Sequence, residues 1–85
     1  GDKGRKIAEH FALDREQVFG AAVACLVKYP ELCKAERGDK MAAVAIVDTI
    51  EKFEARLFEK IGGMPLSKET AVDQLRDWIK KLKPN

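Results

Sequence analysis

Residues able to do chemistry are few in this chain of 85, and their spacing gives them little to do together. His10 is the single histidine, set between Glu9 and Phe11. A zinc site needs three or four converging ligands, and one histidine with two cysteines eight positions apart does not supply them. No metal is expected. A thiol nucleophile at Cys25 is not expected either, because a cysteine in apolar surroundings keeps its proton and is inert. Cys33 stands beside Lys34 near a helix start, but it has no histidine to act as its base. Ser67 is the only serine, and helix capping accounts for it. Thr49 and Thr70 have no base placed for them by spacing. Glu51, Glu54 and Glu59 read as the solvated face of a charged helix. Gly62-Gly63 followed by Met64-Pro65 is a stop and a turn, not a phosphate-binding loop. An enzyme is not expected, nor a cofactor.

The two cysteines leave an alternative open. Pro30 lies between Cys25 and Cys33 and should turn the chain, so a bridge can close a short loop, contributing about 2.5 kcal/mol. Two reduced thiols buried as small apolar groups fit equally well. Reduced, they fit a cytoplasmic location; bridged, an exported one. Gly1 at the start reads equally as a tag remnant or a processed terminus.

The elements that must position these residues follow from periodicity and punctuation. Eighty-five residues is one small domain with a modest core. A hydrophobic fraction of 46% argues against disorder. Four helices are predicted, over residues 5–12, 14–28, 39–61 and 67–82, with a short helical turn at 30–36. In the first, Ile7 and Phe11 share a face with Ala8 and Ala12. Asp14 and Gln17 form a capping box that opens the second, with Leu13 and Val18 as its staple. Tyr29, held out of helical geometry by Pro30, closes it. Asp39 is the expected N-cap of the third. Its stripe runs through Ala43, Ile46, Ile50, Phe53, Leu57 and Ile61, flanked by Val44, Val47 and Phe58. Asp48 and Lys52 are placed for an ion pair on its polar side. Ser67 caps the fourth, with Leu66 and Ala71 as its staple; Val72, Leu75, Ile79 and Leu82 form its buried stripe beside Trp78. No strand-like alternation occurs, so the expected fold is all-α: a compact four-helix bundle-like domain over residues 1–85, with a central apolar second helix.

The stretch KIAEHFALDREQV, residues 6–18, resembles a helix-turn-helix. Ala8, Ala12 and Val18 fall at the matching positions, with Ile7, Phe11 and Leu13 in support. The resemblance implies a DNA-binding regulator with Lys3, Arg5, Lys6 and Arg15 on phosphates. It covers about a quarter of the chain, and any tight helical corner favours the same packing. Asp14 and Glu16 would also repel phosphate at the reading tip. The net charge of +2 and pI near 8.6 do not demand a polyanion. A helical corner is the expectation, with nucleic acid as a disfavoured alternative.

Residues 18–27, VFGAAVACLV, raise the functional question. A helix apolar all round must be enclosed, and a chain this short has limited cover to offer. Either the rest of the chain buries this helix, or part of it meets another molecule. The expected function is a protein-interaction or assembly module, self-associating or binding another protein. Its contact residues are Phe19, Val23 and Leu26, then Val44, Val47 and Phe58, with Trp78 as an anchor. A carrier of a small apolar ligand is a further alternative. No apolar run is long enough to span a membrane.

Overall fold

A computed structural model describes the backbone of residues 2–82 and the side chains of residues 10–82. Its elements are α1 (Asp2–Lys28), α2 (Asp39–Lys52), α3 (Glu54–Leu57) and α4 (Lys68–Lys80), with no strand among the described residues. The all-helical class stands as expected, while the arrangement of the helices differs in three places.

The first difference is at residue 13. Residues 2–28 form one uninterrupted helix, about 40 Å long at 1.5 Å per residue. The expected corner between residues 12 and 14 is absent, and with it the capping box of Asp14 and Gln17. No proline or glycine interrupts residues 5–19, so nothing offsets the cooperative gain of continuing the helix. Leu13 is exposed while Val18 is fully buried, so no staple joins them. The helix stops at Lys28, as Pro30 requires, and residues 30–33 make one turn closed by Leu32 N–H to Tyr29 O and Cys33 N–H to Pro30 O.

The second difference is in the long helix expected over 39–61. It is already broken at Phe53, whose backbone sits at φ −112° and ψ 16°. Its N–H is shared between Thr49 O and Ile50 O. The bend turns Phe53 onto Tyr29, ring centroids 4.4 Å apart and planes 11° from parallel. It also delivers Phe58 into the core instead of a flank. The stripe therefore holds for Ala43, Ile46 and Ile50 and fades beyond them, with Ile61 exposed. α3 has already ended at Leu57, and Gly62 and Gly63, both at positive φ, turn the chain towards α4. The return loop is held by Met64 N–H donating to the Glu54 carboxylate at 3.3 Å.

The third difference is which helix is central. α2 packs against both α1 and α4, and its Ile50 and Val47 are among the largest fully buried side chains. Val18, Ala21, Ala22 and Cys25 supply α1's contribution, and Ala71, Val72 and Leu75 that of α4. Asp48 does not pair with Lys52 as expected. It takes Lys68 at 2.6 Å, with Glu51 at 3.5 Å from the same ammonium, tying the start of α4 to the polar side of α2. Ser67 caps α4 as expected, accepting from Thr70 N–H at 3.2 Å. The buried Thr49 hydroxyl donates to Ala45 O at 2.8 Å, with Leu32 O at 3.3 Å, and so pins the α1–α2 connection to α2.

The molecule measures 44 × 32 × 18 Å. A thickness of 18 Å holds two helical layers at the usual 8–10 Å spacing but not three. One side of α1 is consequently left without a covering layer.

Candidate functional site

Helical geometry divides the apolar run of α1 into two faces. Val18, Ala21, Ala22 and Cys25 share one and are buried against the core. Val23, Leu26 and Val27 share the other and are 61%, 45% and 72% exposed. Phe19, four residues before Val23, is half-buried and meets Trp78 of α4 edge-to-face at 5.9 Å. Trp78 is itself half exposed, and the Lys81 ammonium lies 3.8 Å from its ring centroid. The result is an apolar strip running from Trp78 through Phe19 to Val23, Leu26 and Val27.

Gly20 lies on the same outer side, one turn before Val23 and Ala24. A Cβ placed on it would meet nothing within 4 Å. Glycine in a helix interior costs about 0.5–1 kcal/mol relative to alanine, and no neighbour within this chain requires it there.

The expected contact residues thus separate. Phe19, Val23, Leu26 and Trp78 come together on one surface. Val44 is half-buried against the core. Val47 and Phe58, at 0% and 4% exposure, are core residues and present nothing to a partner. The break at Phe53 lets Phe58 turn inward, and Val47 lies in the core cluster shared with α1 and α4. Val27 belongs to the strip and was missed. Its position four residues after Val23 was the available signal.

The residues assigned to nucleic acid do not form a reading unit, since the corner that would separate a recognition helix does not exist. Arg15 stacks over Phe11 at 5.7 Å from the ring centroid. Lys3, Arg5 and Lys6 have side chains outside the described residues. Cys25 and Cys33 are buried, free thiols, which corrects the expected alternative of a bridge. The turn at residues 30–33 brings Cys33 to the core as a second small apolar group, not as a sulfur partner. Burial, and then the neighbouring Cys33, pushes the Cys25 thiol above its ordinary value of 9.0. Among the described residues no group of three or more potential ligands is placed to hold a metal ion.

Concave surfaces flank α1. A groove of about 730 Å³ between α1 and α4 has the Phe19–Trp78 pair as its floor, and Arg15, Glu16, Asp77 and Lys81 give it walls of mixed charge. A smaller cleft of about 350 Å³ lies between the C-terminal end of α1 and the α2–α3 break. No helix is long and apolar enough to cross a membrane, among the described residues.

No protein-family model matches the chain, and comparison with curated proteins and with solved structures found no match. What the geometry defines is an all-helical domain with one apolar helix face left open.

Proposed function

We propose that this protein is an assembly module that pairs with a second copy of itself through the outer face of α1. The observation that carries the reading is the conjunction on that face of exposed Val23, Leu26 and Val27 with Gly20. Exposed aliphatic residues scattered singly are ordinary, but a contiguous strip ending in an aromatic pair marks an interaction surface. Gly20 lets another backbone approach where a side chain would hold it off.

Two-fold pairing is the commonest assembly, and it buries the same strip on both copies. A standard interface covers about 800 Å² per partner, roughly an eighth of this molecule's 6525 Å². Trp78 and Phe19 are the anchors of the strip, in keeping with the weight aromatic residues carry at interface centres. Val44 has no part in it.

The test is a dilution series of amide spectra. Shifts that move with concentration are expected at Phe19, Val23, Leu26 and Val27, and should vanish in Val23→Asp. Concentration-independent spectra, or shifts centred on α2, would overturn the reading.

A further inference from the structure

We propose that the cleft between the end of α1 and the α2–α3 break binds a small amphipathic anion: a single carboxylate carried on a flat apolar body. This site is separate from the outer face of α1, and the proposal does not depend on pairing.

The cleft has an apolar floor and a cationic rim. Cys25, Leu57 and the stacked rings of Tyr29 and Phe53 make the floor, and Lys28 and Arg56 line it as well. Among the described residues no acidic side chain lines it, and neither Lys28 nor Arg56 is paired with a carboxylate. Two cations left without counter-charge beside aromatic surface favour an anion, and a guanidinium can take a carboxylate through two parallel hydrogen bonds. The Cys25 thiol, held protonated by burial, adds no negative charge beneath them.

Two further features select the occupant. A volume of about 350 Å³ is at the small end of the range for small-molecule sites and too little for a folded partner. The lining carries two aromatic rings, and aromatic groups gain from edge-to-face as well as offset contact, so a planar ring system gains interactions there that an aliphatic chain does not. The site is also where the chain departs from its local pattern. Residues 39–61 carry no glycine or proline, yet the helix is interrupted at Phe53, whose ring lies stacked on Tyr29. Departures of this kind concentrate at sites with a use.

The experiment titrates the whole chain with naphthalene-2-acetate and, in parallel, with its neutral amide, following backbone amides by NMR. The acid should shift Ala24, Tyr29, Phe53 and Leu57, and should bind about tenfold more tightly than the amide because only the acid makes charge-assisted contacts. That advantage should shrink as salt rises. In the double variant Lys28→Gln, Arg56→Gln the acid should fall to the amide's affinity. Both residues are exposed, and the acid–amide comparison on the unaltered chain stands even if the variant folds poorly. Equal binding of acid and amide, no shift at several millimolar, or shifts centred on Val23 and Val27 would each overturn the proposal.

Discussion

Replacing Ile50 by alanine should cost this domain much of its stability, and the size of the loss can be worked out. Ile50 is fully buried in the last turn of α2, the helix that packs against both α1 and α4. Three carbons are lost, at about 0.8 kcal/mol each, which gives about 2.4 kcal/mol of transfer free energy. The residual cavity adds to this, because α2 is clamped from two sides and collapses poorly, so a total of about 3–4 kcal/mol is expected. Alanine's better helix propensity returns only a few tenths of a kcal/mol. For a domain of this length the whole stability is about 4–13 kcal/mol. The midpoint of thermal unfolding should therefore fall by about 15–25 °C. Val27→Ala, on the uncovered side of α1, should change stability by less than about 0.5 kcal/mol. Circular dichroism melts of both variants at one low protein concentration would decide it. Comparable losses for the two, or a loss under about 1 kcal/mol for Ile50→Ala, would refute α2 as the central helix.

Two further outcomes follow from single residues. Gly20→Ala should stabilise the isolated chain by about 0.5–1 kcal/mol, since its Cβ meets open space and the unfolded chain loses freedom; the same change should weaken association. Sedimentation and melts on one sample separate the two effects, and an unchanged dimer would remove Gly20 from the contact. Cys25 predicts a pH dependence. Its native pKa is raised by burial, so between the unfolded and native values the native state holds more protons, and stability falls as pH rises. The contribution is complete below the thiol's ordinary value of 9.0 and declines above it, readable as a falling urea midpoint that Cys25→Ala flattens. A midpoint rising with pH in that window would contradict it.

Much of the fold was legible because its signals are local. Ser67 and the Tyr29–Pro30 junction act on the backbone within a few residues, and they begin and end a helix where expected. The errors occurred where distant residues decide. Asp14 and Gln17 match a capping pattern, but a cap forms only where the chain leaves the helix, and nothing in residues 5–19 makes it leave. The break at Phe53 depends on Tyr29, 24 positions earlier, and no window on residues 39–61 contains it. The apolar run of residues 18–27 showed that cover was scarce without showing which side lacked it. That became readable once α2, not α1, was found between the other two helices. Phe19, Val23 and Leu26 could then be joined to Trp78 and Val27. Phe58 turns inward only because the helix breaks at Phe53, and Val47, before that break, lies in the shared core.

The central claim, that the outer face of α1 pairs with a second copy, is tested most directly by mass in solution. Light scattering after size exclusion should be run across a hundredfold range of concentration on the natural chain and on Val23→Asp. A mass near twice 9.5 kDa is expected for the natural chain at the upper end, and a monomer throughout for the variant with its helicity intact. A monomer for both, or a dimer that Val23→Asp leaves untouched, would contradict it.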